Sequence, residues 1–307
     1  MERPAPSRLK VWLAFASVYI IWGSTYLTIK YAIESFPPFL MGGARFLIAG
    51  LILYGWTAWK GVPAPKAAHW KEACIMGAFL LLIGNGGVVW AEQTVPTGLT
   101  SLLIASEPLW ILVLEGLVYR KRKVNALVIL GALVGFSGVA LLVSSRSSSS
   151  EMMVNPLGAF VLIFSALSWA NGSIYSLEAA QPESPLQGTG MKMIAGGFFL
   201  CVAGLAAGEF QKFSLDHVSL RSSLSLLYLI VFGSIVGFSS YIWILKVSTP
   251  SRASTYAYVN PVIALALGAV FAGEKLTLRI LLAGILILTA VAVITVYQDP
   301  EEAGQKT

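Results

Sequence analysis

The chain has 307 residues, of which 56% are hydrophobic and only 12% charged, and its formal net charge is +6. Soluble domains carry roughly 25% charged residues, so this composition excludes an ordinary soluble protein. The apolar residues form runs of about twenty, the length that a helix needs to cross a bilayer. The basic residues lie between these runs, so the positive charge does not indicate a nucleic-acid partner. We therefore predict an all-α membrane protein whose surroundings are the lipid bilayer.

Several function classes are excluded by what the sequence lacks. Cys74 and Cys201 have no metal-ligand spacing, and the two histidines, His69 and His217, fall in predicted loops. No GxxxxGK[ST] motif is present, so we expect neither ATP hydrolysis, nor a cofactor, nor a metal. The predicted spans hold no paired Asp, Ser/His or His-metal set, which argues against an intramembrane enzyme. They also lack a repeated polar ring, which argues against a channel.

Breakers such as Pro37-Pro38 and Pro96-Thr97-Gly98 divide the apolar sequence into ten predicted spans. The first run is too long for a signal peptide, so we interpret it as a permanent span. The predicted spans cover residues 11–33, 38–59, 70–91, 97–119, 124–144, 155–178, 187–208, 222–246, 251–273 and 277–297.

The basic residues predict the orientation of the first half. With the N-terminus in the cytoplasm, ten Lys and Arg residues of that half lie on cytoplasmic segments and only Arg146 lies outside. The second half is ambiguous, but early spans usually dominate orientation. We therefore expect both termini on the cytoplasmic side.

The two halves match each other at fixed offsets, which predicts a repeat. The matched pairs are Trp22 with Trp169, Arg45 with Lys192 and Gly50 with Gly197 at an offset of 147, and Gly84 with Gly237 and Pro108 with Pro261 at 153. We assign residues 1–150 to the first unit and 151–307 to the second. Each unit has five spans, an odd number, so the second must enter the membrane from the opposite side. Such inverted-topology repeats are associated with alternating access.

The matched prolines each follow a polar residue within an apolar run: Glu107 precedes Pro108, and Asn260 precedes Pro261. Proline removes a backbone hydrogen bond and strains the preceding turn, so both are candidate hinges around a cavity. An unpaired acid at the bilayer centre costs roughly 2.5–3.5 kcal/mol on insertion scales. Glu107 must therefore bind a proton, pair with Arg45 or Lys30, or meet a cationic group of a substrate.

Three further charges lie near predicted span ends. Lys30 and Arg45 end the first span and begin the second, where they can snorkel to the headgroups. Glu92, at the end of the third span, can pair with either of them. We interpret the three as structural or gating charges.

Polar and aromatic residues well inside the spans predict the lining of a central cavity. An aromatic lining with few polar groups suits small organic solutes better than inorganic ions. The candidate lining residues are Trp22, Ser24, Tyr26, Asn85, Glu107, Trp169, Asn171, Tyr175, Tyr256, Tyr258 and Asn260.

Several motifs resemble one transporter family. They are Trp22-Gly23-Ser24-Thr25-Tyr26, Ala44-Arg45-Phe46-Leu47, Gly84-Asn85-Gly86, Val95-Pro96-Thr97-Gly98, Tyr256-Ala257-Tyr258-Val259-Asn260-Pro261 and Gly273-Glu274. Together they are similar to EamA-type members of the drug/metabolite transporter superfamily, and among these to YedA-like inner-membrane exporters. The match covers all ten spans and says little about the substrate.

The resemblance implies ten helices in two inverted five-helix repeats, and export of small metabolites such as amino acids across the inner membrane. This chain departs from the family pattern at Glu107, where a small or uncharged residue is expected, so Glu107 is predicted to tune substrate choice. We expect an exporter, either proton-coupled or working as an uncoupled uniporter or exchanger, and either monomeric or a homodimer.

Overall fold

A computed structural model describes residues 7–119, 126–143, 155–247 and 255–298. Within these ranges the chain is helical and contains no β-strand. The long helices are α1 (Arg8–Ala32), α2 (Pro38–Trp59), α3 (Ala67–Met76, Gly77–Asn85 and Gly86–Ala91), α4 (Thr97–Ile104, Glu107–Val113 and Leu114–Val118), α5 (Ala126–Val143), α6 (Pro156–Ser176), α7 (Pro185–Ala206), α8 (Leu220–Tyr228, Leu229–Val236 and Gly237–Val247), α9 (Tyr256–Phe271) and α10 (Leu278–Gln298). Two short helical segments, Glu209–Lys212 and Leu215–His217, lie between α7 and α8.

The ten helices agree with the ten predicted spans, with ends shifted by a few residues. Seven are long and apolar enough to cross a membrane, and the shorter apolar stretches Ile129–Leu141, Val259–Phe271 and Leu278–Val293 belong to the other three. Several helices begin where the sequence offers a cap or a proline: Pro38 opens α2, and Asn155 caps α6 through its side chain. Predicted span residues 251–254 and the predicted unit boundary at residue 150 lie outside the described residues.

The contact between α2 and α7 reveals the symmetry of the fold. An added Cβ at Gly50 would lie 2.8 Å from the carbonyl oxygen of Gly190, and one at Gly43 would lie 3.1 Å from that of Gly197. The offset of 147 relates Gly43 to Gly190 and Gly50 to Gly197, so each contact is the symmetry mate of the other. The earlier glycine of one helix meets the later glycine of the other, so the helices are antiparallel. A two-fold axis that exchanges antiparallel helices is perpendicular to them, as an inverted-topology repeat requires.

The close approach of α2 and α7 depends on these glycines. We expect Gly50→Ala to destabilise the protein by about 1–3 kcal/mol, because the new methyl would meet backbone atoms at 2.8 Å that cannot move alone. Gly55→Ala, on the same helix, is the matched control, since nothing lies within 4 Å of an added Cβ there. Thermal unfolding in detergent measures both variants, and an equal loss of stability in the two would contradict this packing.

A second antiparallel pair, α5 with α10, follows the same rule. A Cβ at Gly138 would lie 2.9 Å from Ile287, and one at Gly135 would lie 3.0 Å from the Ala290 methyl. Leu109 of α4 also packs against Gly135 and is fully buried. The outward side chains of this pair, among them Leu133 and Leu282, are exposed, as expected for a face toward lipid.

Three helices, α3, α4 and α8, contain π-helical segments. The segments of α3 and α8 are Gly77–Asn85 and Leu229–Val236, and the offset of 153 places the first almost directly on the second. Such segments leave backbone groups outside the regular hydrogen-bond pattern and often occur at functional sites. Both repeats therefore have the same local irregularity at the same depth.

The two predicted hinge prolines differ in structure. α4 is interrupted at Ala105 and Ser106, and Pro108 is the second residue of the segment that restarts at Glu107, where a proline needs no donor. α9 continues through Pro261 without a break, although a proline at that position removes one hydrogen bond of the helix. The matched prolines thus produce a broken helix in one repeat and a continuous helix in the other.

Candidate functional site

The two repeat-matched tryptophans lie on matched glycines of the opposite repeat. Trp169 on α6 lies against Gly84 on α3, where an added Cβ would be 2.9 Å from its ring carbon Cε3. Trp22 on α1 lies against Gly237 on α8 in the same way. Gly84 and Gly237 are related by the offset of 153, so the two contacts are symmetry mates. Each tryptophan therefore joins one repeat to the other at the π-helical segments.

Trp22 is the centre of an aromatic cluster that joins α1, α8 and α9. Its ring lies 5.2 Å from Phe238, 5.2 Å from Tyr241 and 5.1 Å from Tyr256, measured between ring centroids. Tyr241 and Tyr256 contact each other edge to face at 5.7 Å. Such edge-to-face contacts contribute about 0.5–1.5 kcal/mol each beyond burial, so the cluster is a rigid surface. The indole nitrogen of Trp22 donates to the carbonyl of Gly233, at 3.1 Å, within the π-helical segment of α8.

Glu107 lies beside this cluster, at the point where α4 restarts. As a residue it is partly buried, and its carboxylate acts electrostatically on the hydroxyls of Tyr26, Tyr241 and Tyr256. Among the described residues, no basic side chain acts on it in return. Of the three options for Glu107, pairing with Arg45 or Lys30 is not observed, since both cations have other partners. The break in α4 thus places an acid near these tyrosines, and no basic side chain in the described part of the chain acts on it.

Lys30 pairs with Glu274 and not with Glu92. The Lys30 ammonium is 3.0 Å from a Glu274 oxygen, at the end of the bundle formed by residues 33–37, 92–96, 207–219 and 272–277, which we name the Glu274 end. The Glu274 carboxylate also accepts hydrogen bonds from the backbone amides of Thr97, at 2.8 Å, and Gly98, at 3.0 Å. An acid at a helix N-terminus is stabilised by the free amides and the helix dipole. Glu274, which follows α9, therefore links the end of α9 to the first turn of α4 and to α1.

The Glu274 end is closed by further polar contacts between the repeats. Arg221 at the start of α8 pairs with Glu34, and Tyr31 donates to the carbonyl of Phe271 at 2.8 Å. Glu209 accepts from the amides of Phe39 and Leu40 at the start of α2. These contacts hold α1, α2, α8 and α9 together at one end of the bundle.

Burial alone raises the pKa of the Glu274 carboxyl, but the amides of Gly98 and Thr97 and the Lys30 ammonium outweigh it and hold the pKa below its ordinary value. Glu274 therefore stabilises the fold above its pKa in the unfolded chain, and this contribution is lost as the pH falls through its lowered folded-state pKa. We expect Glu274→Gln to cost about 1–3 kcal/mol at neutral pH, and less in acid strong enough to protonate the wild-type carboxyl.

The matched control for Glu274→Gln is Glu34→Gln, because Glu34 belongs to an ion pair at the same end whose side chains are 37% and 60% exposed. An exposed pair contributes about 0–1 kcal/mol. Melting temperatures in neutral and acidic buffer compare the two variants with the wild type. Equal effects of both substitutions, or a Glu274→Gln effect that grows in acid, would contradict the assigned role.

Arg45 and Glu92 are two further charged residues, and both are buried. Arg45 is only 4% exposed, so it does not reach the headgroups; its Nε donates to Ser234 in the π-helical segment of α8, at 2.9 Å, and its guanidinium lies 4.6 Å from the Phe46 ring centre. Glu92 is 5% exposed, and neither carboxylate oxygen has a hydrogen-bond partner among the described residues. The nearby charges that act on Glu92 are Glu274, Lys30 and Arg45.

The remaining predicted lining residues separate into two groups. On the side of Trp22, Ser24 contacts the Tyr228 hydroxyl at 2.7 Å, and the buried Asn260 amide, oriented to satisfy its neighbours, donates to the carbonyls of Tyr19 and Tyr256. On the side of Trp169, Asn171 accepts from Tyr119, Tyr175 donates to Glu72, and Asn85 donates weakly to Leu80. The side chain of Tyr258 lies outside the described part of the chain.

The structure adds residues that the sequence reasoning did not select. Tyr241 and Phe238 complete the cluster around Trp22, Tyr228 contacts Ser24, and Glu274 closes one end of the bundle. Tyr241 lies near the matched Gly237, and Glu274 follows a glycine with a positive φ of 64°, which is a local signal for a tight turn. The described residues contain no group of three or more His, Cys, Asp and Glu side chains that fits a metal ion.

Comparison with known proteins adds to this geometry. The model of the EamA-like transporter family matches residues 9–144 and again residues 156–296. The uncharacterized inner membrane transporter YedA of Escherichia coli K12 is 36% identical over 91% of this chain and 89% of its own length. A probable amino-acid metabolite efflux pump of Salmonella typhimurium is 24% identical over 91% of this chain and 92% of its own.

A solved crystal structure is similar over 98% of this chain and all of its own, with a TM-score of 0.62 and 17% identity, which supports the fold alone. The family model matches both halves of the chain, and the two relatives align with the chain over about nine tenths of its length. The chain therefore belongs to the EamA-like transporter family.

Proposed function

We propose that this protein is an inner-membrane exporter of small amphipathic metabolites, with amino acids as the first class to test. The observation that carries the proposal is the Trp22 cluster, which joins rings of both repeats and lies within electrostatic range of Glu107. Rigid aromatic surface with a few placed polar groups is the usual lining of a site for a small organic molecule. The names of the relatives, a transporter and a probable efflux pump, agree with this proposal.

We further propose that the site is exposed alternately to the two sides as the repeats rock against each other. With both termini in the cytoplasm, the Glu274 end faces the periplasm, and the contacts of Lys30, Glu34 and Tyr31 form the gate on that side. Three contacts must break before a substrate leaves: the ion pair of Lys30 with Glu274, the hydrogen bonds of Glu274 to the first amides of α4, and the hydrogen bond of Tyr31 to Phe271. The glycine contacts between α2 and α7 offer a smooth face for that movement.

The test begins with binding and ends with transport. Purified full-length protein is screened by thermal shift against a metabolite panel, and compounds that stabilise it are then loaded into proteoliposomes for efflux. We expect at least one amphipathic metabolite to stabilise the protein and to leave the vesicles faster than from protein-free controls. Failure of every stabilising compound to move would contradict the proposed function.

The same vesicles test whether transport is coupled to a proton gradient. If the exporter is proton-coupled, an imposed pH gradient drives the solute against its own concentration gradient. If it is an uncoupled uniporter or exchanger, the same pH gradient produces no such accumulation. We propose proton coupling first, because Glu107 is an acid at the site without a basic partner among the described residues.

A further inference from the structure

We propose that the groove between α1 and the first segment of α8 binds one phospholipid from the leaflet at the Glu274 end. One acyl chain lies in the groove, the phosphate contacts Arg221, and a primary ammonium group of the headgroup contacts Glu34. The lipid is therefore a zwitterionic aminophospholipid such as phosphatidylethanolamine. This site is separate from the proposed transport site, and its occupancy does not depend on the solute that is exported.

The groove is a cavity of about 500 Å³ with one open side. Leu27 of α1 lies in one wall, and Leu220 and Leu224 of α8 lie in the other. Both helices are long and apolar enough to cross a membrane, and the two α8 leucines are 75% and 56% exposed, so the groove opens toward lipid. From Arg221 to Tyr228 it follows about two turns of α8, or about 10 Å. That length is about two thirds of the hydrocarbon of one leaflet, since the whole core is about 30 Å thick.

The polar side chains in the groove have hydrogen-bond partners within the protein. The Thr28 hydroxyl donates to the carbonyl of Ser24 at 2.8 Å, and the Tyr228 hydroxyl contacts the Ser24 hydroxyl at 2.7 Å. The Tyr31 hydroxyl donates to the carbonyl of Phe271 at 2.8 Å. Because these hydroxyls need no partner from an occupant, the groove offers mainly methyl groups and ring faces. Such a surface suits an acyl chain.

The repeat explains why a groove lies at this place. The offset of 147 relates Thr28 to Tyr175, and the offset of 153 relates Ser225 to Glu72. In the symmetry-related place, Tyr175 of α6 donates a hydrogen bond to Glu72 of α3, so two large side chains bridge the helices. Thr28 and Ser225 are smaller, and both line the groove. The contact between α1 and α8 therefore lacks the bridge that joins α6 to α3.

An exposed ion pair lies at the end of the groove, where both helices begin or end. Glu34 follows the end of α1 at Ala32, and Arg221 is the second residue of α8, so the pair lies at the depth of the lipid headgroups. Arg221 pairs with Glu34, and its guanidinium lies 4.6 Å from the centre of the Tyr31 ring. The side chains of Arg221 and Glu34 are 60% and 37% exposed, so both remain accessible to a headgroup.

The charges of this pair match a headgroup that carries both signs. The guanidinium donates hydrogen bonds in a fork that fits phosphate oxygens, and the carboxylate accepts hydrogen bonds from an ammonium group. Phosphatidylglycerol has the phosphate but no cation, so its negative charge meets Glu34 without compensation. Phosphatidylcholine has a quaternary ammonium group, which has no N–H donor for the carboxylate. A primary ammonium headgroup is thus the best match.

The experiment compares these three lipids with identical acyl chains. Native mass spectrometry of the purified full-length protein in detergent measures the affinity for each added lipid. We expect phosphatidylethanolamine to bind about tenfold more tightly than phosphatidylglycerol or phosphatidylcholine, because the other two lose a charge-assisted hydrogen bond or add a repulsion. Equal affinity for the three lipids would overturn the proposed headgroup class.

Variants that fill the groove test where the lipid binds. Thr28→Phe places a ring in the groove and should lower the affinity for phosphatidylethanolamine about tenfold. Ile20→Phe adds a ring at a 59% exposed position of the same helix outside the groove, and this matched control should leave the affinity unchanged. If Thr28→Phe does not fold, Leu224→Trp fills the groove from the exposed wall instead. Unchanged affinity in the folded groove variant would overturn the assigned place.

Variants of the ion pair test the headgroup contacts. Glu34→Gln removes the carboxylate and should let phosphatidylglycerol bind as tightly as phosphatidylethanolamine, while Arg221→Met should lower the affinity for both. The two side chains are exposed, so both variants are expected to fold. A wild-type preference for phosphatidylethanolamine in both variants contradicts the assigned contacts.

Discussion

Replacing Glu107 with Gln is expected to reduce transport by about 10- to 100-fold while raising the stability of the protein. A hydrogen bond to a charged group contributes about 1.5–3 kcal/mol, and the substitution removes the only carboxylate that faces the Trp22 cluster among the described residues. The same change removes the cost of holding within the membrane an acid that has no basic partner in the described part of the chain, so the melting temperature should rise.

Loss of activity together with a gain of stability distinguishes a functional acid from a structural one. If Glu107 only supported the fold, its replacement would lower both quantities. Efflux from proteoliposomes across a range of pH, and thermal unfolding of the same preparations, provide the two readouts. A variant that transports with the wild-type pH profile and substrate preference would contradict the role that we assign to Glu107.

Replacing Arg45 with Met is expected to be the most destabilising of these changes, by about 3–5 kcal/mol. Arg45 is 4% exposed, donates to Ser234 and acts electrostatically on Glu92, whose own carboxylate is 5% exposed. Without the guanidinium, the buried Glu92 carboxyl has no cation from α2. Ser234 also loses its partner in the π-helical segment of α8.

Two further variants test why the Arg45 substitution is costly. Glu92→Gln in the Arg45→Met background should restore part of the stability, because it removes the buried acid that has lost one of its two neighbouring cations. Arg221→Met, which breaks the exposed ion pair with Glu34, is the control and should cost less than about 1 kcal/mol. Strictly additive effects of Arg45→Met and Glu92→Gln on thermal unfolding would contradict the coupling between the two residues.

The features that the sequence predicted best are those that repeat along it: the lengths of the apolar runs and the fixed offsets between matched residues of the two halves. Apolar runs of about twenty residues predict the ten helices because each must satisfy its backbone within the bilayer. The offsets relating Trp22 to Trp169 and Gly50 to Gly197 predicted the repeat, and the structure places these residues at symmetric contacts. Position within a span also selected Trp22, Tyr26, Glu107 and Tyr256, which the structure brings together.

Pairing between distant side chains was not predictable. Lys30 and Glu274 are separated by 244 residues, and nothing local in the sequence distinguishes Glu274 from Glu92 as the partner of Lys30. The choice is made by helix packing, which places Glu274 on the free amides of α4 and leaves Glu92 near Arg45. The different courses of α4 at Pro108 and of α9 at Pro261 were likewise not predicted from the sequence.

The central claim, that the two repeats rock to expose one site alternately, is tested most directly by distances at both ends of the bundle. Spin labels at the exposed positions Gln93 and Asp216 report on the Glu274 end, and labels at the exposed Ala68 and Glu183 report on the opposite end. Each pair has one label in each repeat. Double electron–electron resonance is recorded in liposomes with and without a solute that the efflux assay has identified. We predict reciprocal changes, in which the distance at the Glu274 end lengthens as the other shortens; distances that stay constant at both ends in protein that transports the solute would contradict alternating access.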